Sequence, residues 1–153
     1  MKEMTIVTVG DLRTLAERVL AEVKPPRAKR AGATVLALHG ELGAGKTSFV
    51  QVLAKLLGVE QSVTSPTFVV MRMYPTAGPC DFSTLVHIDA YRVESPDEMR
   101  VIGLVDVLRE PANLVCIEWA ERIKDDIPPD ALHVTFTHDP HSPNGSSRTV
   151  TYG

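Results

Sequence analysis

The sequence predicts an α/β domain with a mixed sheet, parallel at its centre. Three observations carry that reading. Short apolar runs alternate with stretches of helical periodicity through the middle of the chain. A glycine-rich loop, GELGAGKTS, joins one apolar run to one helical stretch. Two β-rich segments near the C-terminus, residues 131–137 and 148–152, flank the polar loop HDPHSPNGSS as the arms of a hairpin, which adds antiparallel strands.

Taken in order, residues 4–9 read as a short strand. Leu12, Leu15, Ala16, Val19, Leu20 and Val23 recur at helical spacing, with Thr8 or Asp11 placed to cap that helix. KPPRAKR, residues 24–30, breaks the pattern and reads as a solvated basic loop. Residues 34–38 form a compact strand. Phe49, Val50, Val52, Leu53, Leu56 and Leu57 then mark a second helix closed by Gly58. Residues 67–74 are β-branched and aromatic, and predict a strand. Residues 85–89 and 114–118 are strands that each end in a carboxylate, Asp89 and Glu118. Between them SPDE starts a helix with proline at its first position and acids in its first turn, and a further short helix follows over residues 104–108.

The chain has 153 residues, 44% apolar and 23% charged, which suggests a single domain over residues 1–153 with an ordinary core. A net charge of −3 argues against a surface that grips nucleic acid by itself. No run is long and apolar enough for a membrane helix, and the N-terminus lacks a signal-peptide core. Cys80 and Cys116 form no CxxC, and Cys116 sits in an apolar run as a buried thiol would. A cytoplasmic location is expected.

The loop carries the chemistry. Gly40, Gly45, Lys46 and Thr47 satisfy GxxxxGK[ST], with a strand before and a helix after. Side chains would obstruct close wrapping around phosphate oxygens, so Gly43, Ala44 and Gly45 leave the backbone N–H groups accessible. Lys46 would reach the β and γ phosphates, Thr47 would place its hydroxyl on Mg²⁺, and Ser48 continues the cradle. Such a site needs a carboxylate near the metal, and ligands of open α/β sheets bind beyond the carboxyl ends of the strands. Asp89 and Glu118 both stand there. One would hold the ion and the other orient water, in an order the residues leave open. Thr67, in SPTF, is placed to sense the γ phosphate as switch segments do. HxxH at His138 and His141, beside Asp139, reads as a solvated turn rather than a metal site. No NKxD element is present for reading guanine.

GELGAGKTSF, SPTF, HIDAYR and IEWAERI, in that order and spacing, resemble the TsaE (YjeE) family of small P-loop ATPases required for threonylcarbamoyladenosine modification of tRNA. The resemblance covers nearly the whole chain. It implies a P-loop NTPase fold with helices on both sheet faces, ATP and Mg²⁺ as ligands, and TsaB and TsaD as partners, with tRNA met only through the complex. It further implies Glu118 on the metal side, Asp89 as catalytic or water-mediated partner, Trp119 near the nucleotide, Tyr91 and Arg92 facing the partner or the site, Thr8 near the adenine, and Arg148 flanking it. The sequence departs from the family where SSRTV replaces the more usual Gly-Arg and where Ala90 replaces a bulkier apolar residue. Two other readings stand beside this one: a small kinase phosphorylating a metabolite, and a nucleotide-gated binding module that does not hydrolyse.

Overall fold

The computed structural model describes residues 1–23, 31–66, 70–77, 81–142 and 145–153. One seven-stranded sheet organises them: β1 (Lys2–Ile6), β2 (Thr34–His39), β3 (Met71–Pro75), β4 (Thr84–Asp89), β5 (Asn113–Glu118), β6 (Leu132–His138) and β7 (Arg148–Tyr152). Their spatial order is β1-β7-β6-β2-β5-β4-β3. The central four, β6, β2, β5 and β4, run parallel, while β3, β7 and β1 pair antiparallel at the edges. This is the mixed, mainly parallel sheet that the sequence predicts.

The helices are α1 (Val9–Glu22), α2 (Lys46–Leu56), α3 (Pro96–Val101) and α4 (Leu104–Arg109). Period-two alternation sends the strands' side chains into two apolar layers. On one face Leu36, Leu38, Leu85, Leu114 and Cys116 meet Leu15 and Val19 of α1 and Phe49 and Leu53 of α2. On the other, Val35, Ala37, Val86, Ile88, Val115 and Ile117 meet Met99 of α3 and Leu104 and Val107 of α4. Helices therefore cover both faces, which is why the central strands read as continuous apolar runs.

Local chemistry sets the ends. Thr8 Oγ1 accepts the Asp11 N–H while the Asp11 carboxylate accepts the Thr8 N–H, a capping box that starts α1 at Val9. The expected first strand therefore ends at Ile6 rather than residue 9. Ser95 caps α3 with Pro96 at its first position. The expected strand over residues 67–74 begins only at Met71. Val70 is turned into the left-handed region at φ 67°, with its N–H given to the Pro66 carbonyl, and residues 67–69 lie outside the described set. A turn absent from the sequence reading, a kinked 3₁₀ helix (Ala120–Asp126), follows β5. No described helix is long and apolar enough to cross a membrane.

Candidate functional site

The carboxyl ends of β4 and β5 and the N-terminus of α2 converge on a cavity of about 390 Å³. Its floor is the glycine loop. Gly45, the N-cap of α2, adopts φ 109°, a region that L side chains rarely enter. Gly40 is fixed by packing: a Cβ there would lie 2.7 Å from the Phe136 carbonyl oxygen on β6. Thr8 and Ser95 close α1 and α3, but no side chain caps α2. Its first N–H groups thus point into the cavity with the positive end of the helix dipole behind them. Ala44 contributes differently from its neighbours: its N–H is held by the Glu41 carbonyl and its methyl is buried against the core.

Lys46 is 4% exposed. Its ammonium donates to the Gly40 and Glu41 carbonyls and lies 4.1 Å from the centre of the Trp119 ring. Burial pushes it below the ordinary lysine range, and the charges of Glu118, Glu121 and Asp89 draw it part of the way back. Thr47 Oγ1 donates to Glu118, 3.0 Å from each carboxylate oxygen. Ser48, exposed, lines the same cavity.

Asp89 and Glu118 are register partners across β4 and β5, and both are buried. They face the same side of the sheet as α2. Asp89 is held by backbone at two points: its N–H donates to the Val70 carbonyl, and its Oδ1 accepts the Tyr91 N–H. The left-handed turn at Val70 thereby braces the acid against the loop that follows α2. One hydroxyl and two carboxylates form a hard-oxygen donor set that suits Mg²⁺.

Trp119 has φ 57°, which swings its ring back over the cavity. Tyr91 stacks on it at 4.9 Å between ring centroids, and the Arg122 guanidinium lies 5.6 Å from the Tyr91 ring centre. Tyr91 and Arg92 line the cavity, as does Ser65, while Thr67 lies outside the described residues.

A second hollow of about 220 Å³ lies on the other flank of the loop, between Ile6, Leu12, Phe136 and Arg148. Arg148 donates to the Gly145 and Ser147 carbonyls and reaches the Gly43 carbonyl at 3.5 Å. Thr8 is placed at the start of α1 with its hydroxyl committed to the cap, so its neighbours Ile6 and Leu12 supply the wall there.

Two groupings bring together residues that the sequence reading does not pair, although it takes His87 as a core residue or one standing behind the site. His87, fully buried on β4, meets Glu118 Oε2 through Nε2 at 2.5 Å. His39, next to Gly40, contacts His133 Nδ1 at 2.9 Å and Glu121 Oε2 at 3.3 Å. Both contacts join residues far apart in the chain, which local spacing does not report. In the C-terminal loop the Asp139 carboxylate accepts the His141 N–H, closing a turn. Cys116 is buried, and burial pushes its thiol far above the ordinary range, consistent with an inert core residue.

Comparison with known proteins gives a consistent answer. The family model described as threonylcarbamoyl adenosine biosynthesis protein TsaE matches residues 7–149. A Streptomyces coelicolor protein named tRNA threonylcarbamoyladenosine biosynthesis protein TsaE is 42% identical over 106 residues, 69% of this chain and 68% of that one. The protein of the same name from Aquifex aeolicus is 37% identical over 126 residues, 81% of this chain and 80% of its own. Among solved structures, a crystal structure of Bacillus subtilis YdiB superposes with a TM-score of 0.69 over 99% of this chain and 83% of that one. At 23% identity, that match speaks to the fold alone, a P-loop NTPase fold.

Proposed function

Because this chain belongs to the TsaE family, we propose that it is an ATP-binding and ATP-hydrolysing subunit of the machinery that forms N6-threonylcarbamoyladenosine on tRNA. Its nucleotide cycle would regulate or reset the TsaB–TsaD pair. The single observation that carries the nucleotide half is the Thr47–Glu118 hydrogen bond at the uncapped start of α2. It joins the P-loop hydroxyl to a strand-end carboxylate beside Lys46, where a triphosphate and its ion require them.

The residues divide the work as follows. The α2 N–H groups and Lys46 bind the β and γ phosphates. Thr47 and Glu118, with Asp89 beside them, hold Mg²⁺, which when bound supplies positive charge to the phosphate oxygens. Glu118 takes the metal side because it already accepts from Thr47. Asp89, braced by the Tyr91 and Val70 backbones, orients the attacking water. The hollow walled by Ile6, Leu12, Phe136 and Arg148 takes the adenine. Trp119, Tyr91, Arg92 and Ser65 form the wall that a partner would read. On this reading the γ phosphate drives conformation rather than passing to a metabolite.

The test is cellular. With Lys46→Ala as the sole copy, tRNA should lose threonylcarbamoyladenosine to the level seen on depletion of the protein. Unchanged modification with a normally expressed variant would refute the assignment.

A further inference from the structure

We infer that His87 is the positioning residue for the Glu118 carboxylate. Its imidazole is fully buried beneath the nucleotide cavity, and its Nε2 lies 2.5 Å from Glu118 Oε2. The other ring nitrogen, Nδ1, is buried without a hydrogen-bond partner among the described residues. That asymmetry fixes the tautomer. A proton on Nδ1 would be a buried donor with no acceptor among the described residues, which is costly. A proton on Nε2 is donated to a carboxylate, the stronger kind of hydrogen bond. The ring therefore donates through Nε2 and accepts nothing at Nδ1.

The consequence falls on Glu118. Glu118 is 4% exposed, and among the described residues two side chains orient its carboxylate: Thr47 from the cavity side and His87 from within the sheet. Thr47 must turn its hydroxyl elsewhere if it is to ligate an ion. His87 is then the donor that still holds Oε2, leaving Oε1 facing the cradle. Its place is secured by the sheet, since His87 pairs in register with Cys116 on β5 and Arg72 on β3. Groups that orient the ligands of a metal typically change metal affinity by roughly 10- to 100-fold when removed. This inference rests on the metal-side placement of Glu118 proposed above.

The experiment uses the full chain as wild type, His87→Met and His87→Gln. Methionine fills similar volume without a donor. Glutamine restores an N–H near the Nε2 position. Binding of a non-hydrolysable ATP analogue is measured with chelator and across a Mg²⁺ titration, and the ring tautomer of His87 is read by ¹⁵N NMR in metal-free wild type. The expected results are an Nε2–H tautomer, chelator affinity unchanged in His87→Met, a Mg²⁺ half-saturation raised roughly 10- to 100-fold, and recovery of most of that loss in His87→Gln. An Nδ1–H tautomer overturns the inference. So does a His87→Met protein with wild-type Mg²⁺ dependence, or one that loses affinity equally with and without Mg²⁺, which marks a merely structural role. A wild type that binds no analogue overturns the nucleotide reading itself, and an Nε2–H signal in that same sample distinguishes the two failures.

Discussion

The Thr47 hydroxyl on α2 donates to the Glu118 carboxylate at the end of β5, across 71 positions of sequence. The contact draws the phosphate loop and the carboxyl end of a central strand into one site. Glu118→Gln would keep the shape and halve the negative charge available to an ion. The expected outcome is weaker Mg²⁺ dependence of ATP-analogue binding with little change in chelator. Asp89→Asn should instead retain affinity and lower turnover by on the order of 100-fold, the lower end of general acid–base contributions. Calorimetry at several Mg²⁺ concentrations, set beside steady-state turnover, separates the two carboxylates. Identical profiles would mean that they share one role.

Lys46 rests on two backbone carbonyls and over the Trp119 ring. Phosphate would draw it away. Trp119 is the chain's only tryptophan, so emission excited selectively at tryptophan reports the surroundings of this one ring. Adding the ATP analogue should change its intensity or wavelength in wild type. Lys46→Ala should lose about 1.5–3 kcal/mol of binding, the worth of a charge-assisted hydrogen bond, or roughly 10- to 150-fold in affinity. Tight binding with unchanged emission would show that the ammonium does not leave the ring.

Thr8 has two readings that one substitution distinguishes. As half of the capping box of α1, its loss to alanine should cost about 1 kcal/mol, or roughly 2–4 °C in melting temperature for a domain of this size. If that is its whole role, analogue affinity at saturating Mg²⁺ stays at the wild-type value. A drop in affinity would place Thr8 at the adenine as well. Scanning calorimetry and a binding titration on the same preparation decide it.

The His39–His133 stack gives a pH dependence. Burial first, and then the neighbouring His39, hold His133 below the ordinary histidine range. Its unfolded form thus binds a proton at a higher pH than its folded form. The contribution to stability is complete above pH ~6.5 and declines as pH falls below that. Unfolding midpoints between pH 7.5 and 5 should fall for wild type and fall less for His133→Gln. Parallel curves would remove His133 from the account.

The sequence reveals what depends on local rules. The cradle is visible because Gly40 and Gly45 meet backbone demands that few other residues satisfy, and Lys46 and Thr47 follow at fixed spacing. The strand-end acids show because apolar runs stop at Asp89 and Glu118. The start of β3 does not: the β-branched residues before Met71 favour a strand, but Val70 gives its N–H to the Pro66 carbonyl and its own carbonyl accepts the Asp89 N–H. The 3₁₀ helix after Trp119 is too short for a period to register. His87 is legible as a strand histidine but not as the partner of Glu118, because its role depends on which strand lies beside β4.

The most direct test of the account is ATP turnover by the purified chain, alone and with the TsaB–TsaD pair. The account predicts slow hydrolysis alone and a clear rise when the pair is added, lost again in Lys46→Ala. Full-speed hydrolysis by the isolated chain, indifferent to the pair, would contradict it.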